Sequence, residues 1–192
     1  MKLSIIMPHL PGRKSVHRAV ESVKNQTYKD YELLIIPDGH QWQLKESDKI
    51  KILESKITRN YGNSQRNIGL DKMTGAYAMF LDDDNELFPD ALQRLSEALK
   101  MHSYPEMLIC SVEYPYGNYK PDLPFYYPEV GKIDGMCVVV KESLRGEKWL
   151  GADRGSDFNY IWRIWERART KIFDNSVLLG KYHQAGFGEQ NA

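Results

Sequence analysis

Six short apolar runs alternate with helical stripes along this 192-residue chain, and no other feature restricts its fold as much. The runs fall at residues 3–7, 31–36, 49–53, 76–81, 107–112 and 136–140. Between the first two, Val16, Ala19, Val20 and Val23 recur at i, i+3, i+4 and i+7, one face of a helix. Residues 63–73 have helical character, with Gly75 as terminator. Residues 89–102 place Leu92, Leu95 and Leu99 on one side, and Phe158, Ile161, Trp162 and Trp165 mark a fourth stripe, read as core. Strands alternating with helices predict an α/β fold on a largely parallel sheet, as a single domain over residues 1–192. Ligands of such sheets bind outside the carboxyl ends of the strands. Three loops reach that edge: residues 8–13, residues 37–40 with the turn Pro37-Asp38-Gly39, and residues 82–86.

The third loop begins with three consecutive carboxylates, Asp82, Asp83 and Asp84, directly after an apolar run. Ionised carboxylates repel one another, and burying one without a partner costs several kcal/mol. Clustered oxygen ligands at a strand end suit a hard divalent ion, Mg2+ or Mn2+, bridging to substrate phosphates. The competing reading is a solvated acidic turn leading into the helix at Pro89.

Lys plus Arg equals Asp plus Glu at 26 each, so no global field draws the chain to nucleic acid or anionic lipid. The only cysteines, Cys110 and Cys137, sit in apolar runs and read as reduced core residues of a cytoplasmic protein. No apolar stretch approaches the roughly 20 residues of a membrane helix, and no signal-peptide pattern opens the chain. Peripheral contact with a membrane stays open. Residues 114–127 mix five tyrosines and a phenylalanine with prolines, which excludes a regular helix or a central strand. A long loop of this composition either stacks on a sugar ring, covers a site, or packs on the sheet.

In order along the chain stand Leu3-Ser4-Ile5-Ile6-Met7-Pro8, then Ser22-Val23-Lys24-Asn25-Gln26-Thr27-Tyr28 with Glu32 following, then Pro37-Asp38-Gly39. Asn60-Tyr61-Gly62 with Gln65-Arg66-Asn67-Ile68-Gly69 comes next, and Gly75-Ala76-Tyr77 runs on to Asp82-Asp83-Asp84. Five motifs at this spacing, dense over residues 3–92, resemble the family 2 glycosyltransferases of the GT-A fold. The resemblance implies a GT-A-like, Rossmann-type sheet with a nucleotide-sugar donor half at residues 1–100. It implies an acceptor-side half with a C-terminal tail at residues 101–192. It also implies a nucleotide-diphosphate-sugar donor, a divalent metal on the diphosphate, and transfer with inversion to a hydroxyl acceptor such as a glycan.

Residue by residue, the resemblance puts Pro8 in the base-binding loop and Asp38 against the base, where the other reading is a turn aspartate satisfying its own backbone. Arg66 serves phosphate or base edges, Asp82 the ribose or the metal, and Asp84 the metal directly. Asp83 belongs to the nucleotide site without a defined task. An inverting transfer needs a base for the acceptor hydroxyl, and Asp157, ahead of the fourth helix, matches that position with Asp153 in reserve. A helix cap is the alternative for Asp157. Tyr182-His183 resembles a late element whose histidine reaches the metal, and Gly180, Gly186 and Gly188 imply a mobile tail. His9, His17, His40 and His102 read as surface residues. The first loop lacks the family's Tyr-Asn, Pro37 replaces an aspartate, and Ser156 stands where a glutamate is usual. A uridine nucleotide is favoured by family frequency. Other readings are a donor-binding module without turnover and, more remotely, a sugar nucleotidyltransferase, for which residues 8–13 offer only one glycine and one arginine.

Overall fold

A computed structural model describes residues 1–39, 47–151 and 155–183. His40, Asp153, Gly186 and Gly188 lie outside the described residues. The first apolar run forms β1 (Leu3–His9), buried at all seven positions, and β2 (Tyr31–Pro37) is buried in the same way. Strands covered on both faces read as continuous hydrophobe and not as alternation. They pair in parallel, Ile5 opposite Leu33 and Met7 opposite Ile35. β3 (Ile50–Ile52) extends the sheet beyond β2, and β4 (Tyr77–Phe80) lies along the other side of β1, both parallel.

The crossovers are helices. α1 (Val16–Lys24) buries Val16, Ala19, Val20 and Val23, the stripe its spacing predicts. α2 (Asn63–Lys72) buries a face that is half polar, with Asn63, Gln65 and Arg66 beside Gly69 and Leu70. Gly69 is required there, because a Cβ would come within 2.4 Å of Ile6 Cγ2. α2 therefore lies directly on β1, with its first turn aimed at the strand ends.

Past β4 come β5 (Glu86–Leu87), α3 (Ala91–Met101), β6 (Met107–Tyr114), β7 (Asn118–Lys120), β8 (Val138–Lys141), α4 (Ser156–Arg167) and β9 (Lys171–Lys181). The sheet order is β3-β2-β1-β4-β8-β6-β9-β5, with β7 paired to β6. β8 is antiparallel to both β4 and β6, and β6 runs parallel to β9. The sheet is thus parallel on its N-terminal side and mixed beyond β4.

Several elements differ from expectation. Gly180 does not begin a mobile tail: it is buried in β9, and a Cβ there would meet Glu86 O at 2.1 Å. β9 escapes a hydrophobic-period search because Asp174, Asn175 and Ser176 interrupt it. On α4 the core face is Tyr160, Ile161 and Ile164. Phe158 and Trp162 lie half-buried against each other, and Trp165 meets Phe125 edge-on at 6.1 Å.

One carboxylate ties the sheet's edge together without touching the site. Glu32 on β2 is buried and accepts bonds from Ser4 Oγ at 2.7 Å, Thr74 N at 2.6 Å and Lys2 Nζ at 3.2 Å. Burial opposes its ionisation, yet these donors outweigh burial and bring its pKa down to about 2. A depressed carboxyl stabilises the fold above its unfolded value, and that stability fades as pH falls from about 4.5 toward about 2. Glu32→Gln is expected to cost about 1–3 kcal/mol at pH 7 in urea titration. It should also flatten the acid limb of stability in that window.

Candidate active site

β1, β2 and β4 end at one edge, where their loops enclose a cavity of about 430 Å³. Pro8, Asp38, Arg66, Asp82, Asp83 and Asp84 all line it, so six positions expected from sequence converge. Asp157 and His183 stand outside that lining.

The three aspartates have separate surroundings. Asp83 is buried: Oδ2 accepts from Leu10 N at 2.8 Å and lies 2.8 Å from His9 Nδ1, while Oδ1 accepts from Arg13 at 2.8 Å. It clamps the loop after β1. His9 is accordingly not a surface residue but a buried partner of Asp83, and His102 likewise pairs with Asp174 at 2.9 Å. Asp84 Oδ2 takes a second bond from Arg13 Nη1 at 2.9 Å. Burial first, then repulsion from Asp82 and Asp83, pushes Asp84 up to about 6 against the pull of Arg13. Asp82, one-third exposed, pairs with Arg66 at 2.5 Å.

Arg66 is the electrostatic centre of the site. Its guanidinium donates to Tyr61 O at 2.7 Å and lies 4.6 Å over the Trp149 ring, and among the described residues its Nε has no hydrogen-bond partner. Burial works against its charge, but Asp82, Asp157 and Asp134 together hold its pKa above the usual value. Gly62 makes room for this packing. It adopts φ +80, and a Cβ would approach Pro8 Cβ to 2.8 Å and Arg66 Nη1 to 3.1 Å.

Asp157 is not the N-cap of α4; Gly155 occupies that position and Asp157 sits in the first turn. The Gly135 backbone beside it favours its ionised form. Burial, opposed by Arg66 and reinforced by Asp134 and Asp82, pushes it up to about 6. Asp134 was not singled out from sequence. It accepts from Met136 N at 2.7 Å and from the Tyr114 hydroxyl, and burial with the nearby Asp82 raises its pKa. An Asp-Gly pair before an apolar run was its one signal, and that also describes an ordinary turn. Arg13 had no sequence signal beyond its place in a strand-end loop.

Asp38 neither closes its own turn nor stands free. It accepts from Thr58 N at 2.7 Å, Arg59 N at 3.0 Å and Gln65 Nε2 at 2.9 Å, fixing the cavity wall. The His183 ring lies 2.8 Å from Glu86 Oε1, and its backbone N–H donates to Asn85 Oδ1 at 2.9 Å. It is beside the acidic loop but turned to Glu86. The adjoining Tyr182 lines the cavity and stacks on Tyr114 at 4.3 Å and 4°.

Among the described residues, no group of three or more His, Cys, Asp or Glu side chains is placed to hold a metal unaided. Asp84 and Asp82 at the cavity do fit a hard cation that draws its remaining ligands from a diphosphate, since Mg2+ is commonly held by one or two carboxylates plus phosphate oxygens. Among the described residues, no helix is long and apolar enough to cross a membrane.

The fold and parts of the sequence are shared with known proteins. Over 104 residues the chain is 33% identical to the GalNAc(5)-diNAcBac-PP-undecaprenol beta-1,3-glucosyltransferase of Campylobacter jejuni, covering 50% of this chain and 34% of that protein. Over 103 residues it is 37% identical to the poly(ribitol-phosphate) beta-N-acetylglucosaminyltransferase TarP of Staphylococcus aureus, covering 49% and 32%. The chain thus spans about a third of the length of these relatives. Residues 1–349 of S. aureus TarS, solved in complex with UDP-GlcNAc, superimpose with a TM-score of 0.75 at 14% identity, over 100% of this chain and 61% of that one. The family profile described as Glycosyl transferase family 2 matches residues 4–126, well over half of the chain. The chain therefore belongs to glycosyl transferase family 2.

Proposed function

We propose that this domain transfers a sugar, with inversion, from a nucleotide-diphosphate sugar to a hydroxyl of a glycan or similar acceptor, a uridine nucleotide being the favoured donor. The observation that carries this reading is the convergence of Asp38, Arg66 and the Asp82–Asp84 run on one cavity, with Asp157 held beside Arg66. The relatives' printed names, a glucosyltransferase and an N-acetylglucosaminyltransferase, and the TarS complexes with UDP and UDP-GlcNAc support the reaction class.

In this reading the nucleotide enters along Pro8 and Asp38, on the donor side formed by residues 1–100. Arg66 and Arg13 meet the diphosphate as planar donors. A Mg2+ or Mn2+ ligated by Asp84, with Asp82 beside it, would neutralise charge gathering on the leaving diphosphate. His183 joins that set only by giving up Glu86. Asp157, with a pKa near 6, is ionised at neutral pH and receives the proton of the attacking hydroxyl. A donor-binding module without turnover would leave Asp157 as a helix cap, whereas the N-cap position of α4 is Gly155. Cys110 and Cys137 are buried free thiols, which supports the cytoplasm as the proposed location.

Calorimetry with uridine diphosphate and Mn2+ tests the site. Asp84→Asn is expected to weaken metal-dependent binding by about tenfold or more, equivalent to about 1.4 kcal/mol. Undiminished metal-dependent binding removes Asp84 from the metal site. A thermal-shift series across the nucleotide diphosphates is expected to show the largest stabilisation with uridine; equal shifts for every base would overturn the donor assignment.

A further inference from the structure

Beside the donor cavity lies a second, larger concavity of about 870 Å³, built by β7 and the segment around it. Its walls carry Tyr114, Tyr116, Asn118, Tyr119, Asp122 and Tyr182. Tyr116 is 97% exposed and Tyr119 47%. Tyr116 also holds a left-handed backbone, φ +65, which costs a non-glycine residue about 1–2 kcal/mol. A tyrosine held in an unfavourable conformation with its ring in water contributes nothing to the core. It presents an amphipathic face outward.

Charge narrows the occupant. Between residues 114 and 130 the one cation, Lys120, stands against Asp122 and Glu129. Lys120 is engaged with Asp122 at 2.8 Å and Gly131 O at 2.6 Å. The groove has no surplus positive charge for a phosphate chain or an anionic membrane, which attract clusters of unpaired Lys and Arg. Aromatic faces alternating with amide, carboxylate and hydroxyl groups suit uncharged polyhydroxylated rings instead. Position gives the groove a purpose: Tyr182 borders both concavities, and its stacking partner Tyr114 donates to Asp134, a neighbour of Asp157 in the carboxylate cluster.

Resting on the function proposed above, we propose that this groove is the acceptor subsite and takes a neutral oligosaccharide, its rings on Tyr116 and Tyr119 and its end led past the Tyr114–Tyr182 pair to the donor cavity. Tyr116 is almost wholly exposed and Tyr119 about half exposed, so the double variant Tyr116→Ala/Tyr119→Ala is expected to keep the fold, checked by its melting curve, with Tyr116→Ala alone as a second variant. Wild type and variant are compared on an array of neutral oligosaccharides, on phosphatidylglycerol vesicles, by sedimentation, and for thermal stabilisation by uridine diphosphate. The expected result is neutral glycans retained by wild type, about tenfold weaker retention by the variant, and equal nucleotide stabilisation. No neutral glycan retained by wild type, or equal retention by both, overturns the proposal. Vesicle binding, or self-association, lost in the variant without any glycan effect assigns the surface to a membrane or a second copy and overturns it too. Glycan binding lost in the variant while neither protein responds to any nucleotide diphosphate upholds the groove and sinks the donor reading.

Discussion

Asp157→Asn is expected to leave nucleotide binding intact, to lower sugar transfer by about 10²–10⁴-fold, and to raise the melting temperature at pH 7. The first two effects follow from the role of a base: removing it spares the ground-state complex and deprives the attacking hydroxyl of its proton acceptor. The third follows from linkage. Burial, with Asp134 and Asp82 adding to it and Arg66 opposing, holds Asp157 at about 6 in the fold, well above an unfolded aspartate near 3.8. A raised carboxyl favours folding while protonated, so its stabilising contribution is complete below about 3.8 and is lost as pH rises through about 6. At pH 7 the ionised group is therefore a net cost to the fold, and a neutral amide of the same shape relieves it. The gap in melting temperature between variant and wild type should narrow as pH falls below 5. Transfer by wild type should decline on the acid side with a midpoint near 6. Asp84 titrates in the same region, so the pH dependence of nucleotide binding, measured apart from turnover, separates the two groups. A variant less stable than wild type at pH 7 would make Asp157 a structural anchor, and near-normal transfer would move the base elsewhere.

Arg66→Met is expected to destabilise the protein by about 3–5 kcal/mol at pH 8, the usual consequence of removing one member of a buried ion cluster. Methionine retains much of the apolar stem but not the guanidinium that lies over Trp149, so the loss reports the charged head, its contact with that ring included. Without the guanidinium, Asp82, Asp134 and Asp157 face one another uncompensated, and Asp134 and Asp157, already raised by burial, are driven further toward their protonated forms. Lower pH supplies those protons, so the deficit should shrink markedly at pH 5 in paired urea titrations. An equal deficit at both pH values would mean that the three carboxylates do not share this cation. Arg66→Lys should not rescue it fully, because an ammonium lacks the planar spread that serves Tyr61 O and Asp82 together.

Much of the site is legible in the sequence. Strand ends of a parallel sheet gather at one edge, so Pro8, Asp38 and Asp82–Asp84 could be placed together from hydrophobic runs alone. Arg66 followed from the order of motifs. The partition within the aspartate triplet was not legible. Asp83 turns to His9, 74 residues away in sequence, and Arg13 divides itself between Asp83 and Asp84. Asp134 was missed because its chemistry comes from neighbours on β6 and at the head of α4, and nothing local distinguishes it from a turn residue. β9 was missed because polar residues break its period, although its pairing with β6 buries it.

What this sequence determines by itself is periodic and local: which segments are strands or helices, which face they bury, and which loops share the sheet's carboxyl edge. Those properties depend on side chains a few residues apart. Only the tertiary structure decided which carboxylate is a clamp, which shares a cation, and which is raised to about 6. Charge and burial act through space, and here they join residues as far apart in the chain as Asn85 and His183, 98 positions from one another.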